Sequence, residues 1–205
     1  MATYAGFEVL ETQPMGNGGR EMAVERRFDV IRGGGLGARE VVTLDTYPRA
    51  ERRFSWPCYS EADVAVVRAF VDVNFGAMTP FWLPSFSRDF LFDVYPGVTA
   101  TWVVRFIGYT ARVFPLGPQR RHVYVRHPVS GYRYRKVATA VDNGDGTETL
   151  TLDSSPAVNI LNDNWMPGML TLVRLGDPAI SIDWRSRNLA ICSMRMVEVP
   201  HEVPA

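Results

Sequence analysis

The stretch that decides the fold runs from Ser60 to Phe92: SEADVAVVRAFVDVNFGAMTPFWLPSFSRDFLF. Val64, Val67, Phe70, Val71 and Phe75 recur at helical spacing and predict one amphipathic helix over about 61–75. Ser60 stands at its N-cap with Asp63 in the capping-box position, and Gly76 stands where a left-handed C-terminal residue is wanted. Thr79-Pro80 breaks the period, and Phe81-Trp82-Leu83-Pro84-Ser85-Phe86 continues as an extended aromatic arm. Prolines at both ends argue against a place in a central strand. Phe81, Trp82, Leu83 and Phe86 are therefore candidate subunit-interface residues, with packing back over the chain's own helix as the alternative. An isolated amphipathic helix needs a sheet to lie on, so the rest of the chain must supply one.

The rest of the chain does read as strands and turns. Phe7–Glu11 alternates and ends at Pro14 and a glycine-rich loop; Arg27–Arg32 and Glu40–Tyr47 read as strands. Between them Gly33-Gly34-Gly35-Leu36-Gly37-Ala38 formally matches a dinucleotide-binding pattern. That pattern works only where its glycines open a helix, and here a β-branched run follows, so the glycines join two strands. Arg49–Trp56 is strand-like with a heavy basic load, read as a solvated edge or a protein contact. Arg88–Val94, Thr99–Tyr109 and His122–Arg126 are expected strands. Tyr132–Ala138 alternates aromatic and basic residues; stacking on nucleic-acid bases is one reading, and an aromatic core face with a wet basic face is the favoured one. Asn143-Gly144-Asp145-Gly146 is the clearest hairpin turn, joining Thr139–Asp142 to Thr147–Leu152. Leu170–Leu175, Ile180–Trp184 and Ala190–Val199 complete the strands. The fold expected is mainly β: a β-sandwich with one helix (about 61–75) packed on a sheet, plus β-hairpin extensions. It is expected as one domain over 1–205, with about 116–177 as a hairpin-rich subregion.

Composition narrows function. The chain is 46% hydrophobic, enough for a full core, and its formal net charge is zero, which gives no steering toward nucleic acid or anionic lipid. Lys136 is the sole lysine; every other basic side chain is arginine, which pairs in planar bidentate fashion with carboxylates. Cys58 and Cys192 make no disulfide framework and fit a reduced compartment. Residues 1–16 lack a basic start and an apolar run, so no secretory leader is expected, and charges interrupt every apolar run, so no membrane insertion is expected.

Catalytic constellations are thin. His122, His127 and His201 do not share a spacing that would gather them, the cysteines lack zinc spacing, and no nucleophile elbow, HExxH or P-loop occurs. Asp142 and Asp145 do not keep calcium-loop spacing. Asp89 with Asp93, or Asp183 with Glu198, are nominal glycosidase pairs whose separation the sequence does not give. No catalytic residue, metal or cofactor is expected.

Two groups of residues carry a resemblance. The helix ending Ala69-Phe70 with Asp72 and Gly76, followed by Phe81-Trp82-Leu83-Pro84 and Asp89, resembles the distal tail proteins of long-tailed bacteriophages and gene transfer agents. The later run DNGDGTETLTLD, LVRLGDPAISIDW and MVEVP is similar to the C-terminal half of the same group. The likeness covers most of the chain from about Tyr47 and is loose before it. It implies a structural protein of the virion tail tip, assembled in the host cytoplasm. In this role six copies form a ring that joins the tail tube protein to the baseplate hub proteins. It implies no sequence-specific nucleic-acid partner. Two other classes stay open: a host-surface carbohydrate-binding module, with Trp165 and Trp184 flanking a groove, and a cell-wall-degrading tail enzyme.

Overall fold

The computed structural model describes residues 2–14, 20–25, 28–32, 39–43, 49–74, 78–177 and 180–199. In chain order its elements begin with β1 (Ala2–Tyr4), β2 (Phe7–Val9), β3 (Arg20–Glu25), β4 (Phe28–Arg32), β5 (Arg39–Thr43) and β6 (Arg49–Cys58). Helix α1 (Glu61–Val73) precedes β7 (Phe81–Pro84), β8 (Phe92–Val94) and β9 (Thr101–Arg105). The short helix α2 (Tyr109–Arg112) and two 3-10 turns lead to β10 (His122–His127), β11 (Gly131–Asp142) and β12 (Thr147–Leu152). The chain continues through β13 (Met166–Leu175), β14 (Ser181–Ser186) and β15 (Leu189–Glu198). The fold is mainly β, as expected. No described helix is long and apolar enough to cross a membrane.

The chain groups into two compact units. The first is built from Met1–Gln13 and Pro80–Val173, the second from Pro14–Thr79 and Arg174–Val199. The subregion expected at 116–177 does not stand apart: its residues up to Val173 are part of the first unit's own sheets.

In the first unit, strands run β1-β2-β7-β13-β10-β11 and then β12-β9-β8. The long strand β11 makes the corner. Its first half pairs with β10 and its second half with β12, and the register shifts between Val137 and Thr139. A bulge lets one strand bend and serve two sheets. Both sheets then contribute to one core: Val123 and Val125 from β10, Trp102 and Val104 from β9, and Leu150 and Leu152 from β12. Alternate residues of β9 and β12 are buried, which is the period-two pattern of a half-buried strand. The expected hairpin closes β11 onto β12. Gly144 and Gly146 take the left-handed values φ 74° and 88°, and the Asp145 carboxylate accepts the Thr147 N–H at 3.0 Å.

In the second unit β6 lies between β3 and β15, antiparallel to both, and β14 pairs with the outer side of β15. Helix α1 packs on β6 and β15 and buries Val64, Phe70 and Val71. The helix ends two residues before the expected boundary. Asn74 takes the C-cap, and its Nδ2 donates to the Phe70 carbonyl at 2.8 Å. Phe75 and Gly76 lie outside the described residues, as do the glycine run 33–38 and His201. Strands β4 and β5 pair antiparallel from Phe28↔Thr43 to Arg32↔Arg39. The chain after the glycine run is therefore a strand, as the rejected dinucleotide pattern required.

Two expected strands are shorter. Only Phe92–Val94 of 88–94 is extended in a sheet; the Asp89 N–H is taken by the Pro167 carbonyl. The strand expected over 99–109 stops at Arg105, because Gly108 turns left-handed at φ 76° and a buried carboxylate gathers the next N–H groups into α2.

Candidate functional site

The aromatic arm is spent inside its own unit. Trp82 in β7 is hydrogen-bonded on both sides: β13 pairs antiparallel through Leu172, and the Leu10 N–H of the chain leaving β2 donates to its carbonyl at 3.0 Å. Phe81, Trp82 and Leu83 are fully buried, and Phe86 is 3% exposed. The prediction that these four residues face a neighbouring subunit is therefore corrected. The prolines do not exclude a central strand because Pro80 precedes it and Pro84 is its last residue, so the three residues between them can pair freely. Asp89 completes the anchor: its carboxylate accepts the Met169 N–H at 2.7 Å and the Ser87 hydroxyl at 2.7 Å.

The N-terminal hairpin lays Tyr4 over this arm. The Trp82 Nε1–H donates to the Tyr4 carbonyl at 2.9 Å, and the Trp82 ring lies 4.4 Å from the His122 ring. Tyr4 Oη bonds His122 Nδ1 at 2.9 Å. Burial, and then the charge of Lys136, depresses the His122 pKa to about 4, with Asp153 opposing. His122 is 3% exposed, so this neutral imidazole is a packed ring and not a base presented to a substrate. His127 sits apart: its Nδ1 accepts the Val129 and Ser130 N–H groups at 3.2 Å, and its ring lies 4.7 Å from Trp165.

The alternating run on β11 follows its favoured reading. Tyr134 is buried and donates to the Glu11 carboxylate, Tyr132 donates to the Glu11 carbonyl at 3.2 Å, and the two rings stack 6.0 Å apart. Burial, then the Glu11 hydrogen bond, raises the Tyr134 pKa. The basic partners turn onto backbone: Arg133 Nη1 donates to Tyr132 O at 2.8 Å and Arg135 Nε to Ser155 O at 2.8 Å.

The nominal acid pair Asp183 and Glu198 is also in use. Asp183 pairs with Arg185 at 2.8 Å, and the buried Glu198 accepts the Ala50 N–H at 3.0 Å. Asp183 stands opposite Ile191, seven residues along β15 from Glu198. At about 3.3 Å per residue that is roughly 23 Å, far beyond the reach of a glycosidase pair. The two thiols are buried with Sγ atoms 3.4 Å apart, and burial, then the bond to Cys58, pushes Cys192 up to about 12. Such thiols are poor nucleophiles. Among the described residues no three His, Cys, Asp or Glu side chains gather as metal ligands would.

Two surface concavities stand out among the described residues. In the first unit a cleft of about 230 Å³ is lined by Phe92, Tyr95 and Trp165, with Arg88 spent on Asp163 at 3.2 Å. In the second unit a groove of about 520 Å³ runs along α1 beside Trp184. Of the two tryptophans named for a sugar-binding groove, Trp165 is buried in the first unit and Trp184, in the second, is 46% exposed. Sequence reading missed Glu148 and the α1 groove. Glu148 has no local signature in the sequence, whereas Glu61, Ala65, Arg68 and Asp72 share one helical face, beside the apolar stripe. Compared with known protein families and with curated proteins, the chain matches none.

Proposed function

We propose that this chain is a structural protein of a phage tail tip, a ring component that joins the tail tube to the baseplate hub. The observation that carries the reading is an uncovered apolar rim on the first unit. Leu91, Val94 and Tyr95 on and beside β8, Val98 in the following turn, and Phe106 and Ile107 after β9 are each 40–60% exposed. Strand β8 pairs with β9 alone among the described strands, so its outer backbone edge is unpaired. A bare edge flanked by apolar side chains is a liability in a chain that stays alone and an asset in one that is covered on assembly.

The resemblance supplies the kind of assembly, and the six-fold ring comes from it. Its motif residues have mechanical roles that suit a scaffold: Phe81-Trp82-Leu83-Pro84 is a core strand and Asp89 ties it to β13. Asp89, Asp183 and Glu198 are held in backbone contacts and an ion pair, and His122 and His127 in hydrogen bonds, which favours the structural reading over the degradative one. Head-to-tail contacts between identical subunits close into rings when the rotation allows.

Electron microscopy of assembled particles tests the proposal. A ring of this protein on the tail axis, with the rim of Leu91 and Val94 at a protein contact, is expected. A single copy, or peripheral spikes off the axis, would overturn it. A Leu91→Glu/Val94→Glu variant should fold but fail to enter particles.

A further inference from the structure

We propose that the groove between α1 and Trp184 binds a neutral glycan, one or two sugar rings at a time. The inference stands on the second unit alone and does not rest on the ring assignment. Glu61, Ala65, Arg68 and Asp72 recur at spacings of four, three and four, so they line one face of α1, with Ala69 beside them. All five are exposed. The short side chains of Ala65 and Ala69 leave room opposite Trp184, which sits on the edge strand β14 and lines the same groove. The resulting space of about 520 Å³ lies in the range of small-molecule sites. A protein partner would instead need on the order of 800 Å² of surface from each side.

Chemistry selects the ligand. An indole face offers apolar contact to a flat, C–H-bearing ring. The Glu61 and Asp72 side chains are acceptors and that of Arg68 is a donor, and none of the three side chains makes an ion pair or hydrogen bond among the described residues. Arg68 and Asp72 stand four apart, where a helical ion pair would be available, yet they are not joined. A cationic ligand would meet Arg68, and an anionic one would meet two carboxylates. A polyhydroxylated neutral ring satisfies both signs, because its hydroxyl groups donate to carboxylates and accept from a guanidinium.

The test is a titration of the purified full chain with the methyl glycosides of glucose, galactose, N-acetylglucosamine and rhamnose, and with their disaccharides. Binding is followed by tryptophan fluorescence and NMR. At least one sugar should saturate, and Trp184→Ala should weaken it by about tenfold or more. Ala69→Leu, which narrows the groove from the helix side, should do the same, and both variants should keep the wild-type melting curve. Sedimentation is run in parallel. The proposal is overturned if no sugar saturates, or if saturation survives both substitutions. It is also overturned if Trp184→Ala abolishes self-association while no sugar binds, which would put a second copy in the groove.

Discussion

The two helices begin in opposite ways. Helix α1 starts at an exposed surface with a cap from its own sequence: Ser60 Oγ accepts the Asp63 N–H at 3.1 Å, and the Asp63 carboxylate accepts the Tyr59 N–H at 2.8 Å. Helix α2 is four residues long, follows a left-handed Gly108, and has no side-chain cap from its neighbours. Its donors are gathered instead by Glu148 from β12, which accepts the N–H groups of Ile107 at 3.0 Å, Tyr109 at 3.2 Å and Thr110 at 2.7 Å. Glu148 is fully buried. Burial pushes its pKa up, but the three backbone donors outweigh that, and the net shift is down. A helix of thirteen residues tolerates a local cap because burial of its apolar face holds it. A helix of one turn exists only where the tertiary structure delivers an acceptor to its N–H groups.

The sharpest way to break this contrast is to remove the packing that holds α1. Phe70 is 1% exposed. Phe70→Ala should cost about 3–5 kcal/mol, as large-to-small core changes do. Chemical denaturation measures it, and a loss below about 1 kcal/mol would mean that capping and propensity hold α1 on their own.

Acid separates two buried groups that meet burial differently. Glu148 keeps its charge because three donors face it, whereas His122 gives up its charge because one hydroxyl faces it and Lys136 lies nearby. The folded pKa of His122, about 4, lies below its unfolded value of 6.5. Between those values the unfolded chain takes up the proton and the folded chain does not, so stability falls as pH drops through that window. At about 1.4 kcal/mol per pH unit, the loss reaches about 3 kcal/mol near pH 4. His122→Gln should flatten the stability–pH curve between pH 6.5 and 4, and an unchanged slope would show that the imidazole titrates normally. Below pH 4.5 a second loss sets in, because the stabilisation from Glu148 is present above its unfolded pKa and disappears as pH falls through the lower folded one.

Glu148→Gln probes the α2 cap directly. The amide keeps one acceptor oxygen but turns an NH₂ toward N–H donors. Hydrogen bonds to a charged acceptor contribute about 1.5–3 kcal/mol, and part is retained, so a loss of about 2 kcal/mol is expected. Amide shifts of Ile107, Tyr109 and Thr110 should move together. If they stay in place, α2 does not depend on the carboxylate.

What was legible follows the same division. Ser60, Asp63 and the stripe through Val64, Phe70 and Val71 lie within one turn or two of each other, so the sequence states α1 openly. The Asn143–Gly146 turn and the strands β10, β12 and β15 were legible for the same reason. Glu148 reads in sequence as an ordinary acid in TETLTL, because its donors lie about forty residues earlier. The aromatic arm was misread as surface for a related cause. Its prolines are a local signal against pairing, but β2 and β13, which pair with it, are separated from it by some seventy and ninety residues. The division into two units was hidden because each is assembled from discontinuous segments.

The smallest effect expected is at the local cap. Ser60→Ala removes the acceptor for the Asp63 N–H, but that group lies at an exposed helix end where water replaces the lost bond. Such replacements cost about 1 kcal/mol, and Ser60→Gly only a few tenths, because glycine leaves the end better solvated. The ordering matters more than either value. A chain denatured with Ser60→Ala should lose less than half of what Phe70→Ala loses, and less than Glu148→Gln. Backbone amide exchange should rise at Asp63 and its neighbours and stay unchanged at Phe70 and Val71. If Ser60→Ala instead costs as much as Glu148→Gln, or opens the whole helix to exchange, the exposed cap nucleates α1. The distinction between a helix held by its buried face and one held by its first turn would then fail.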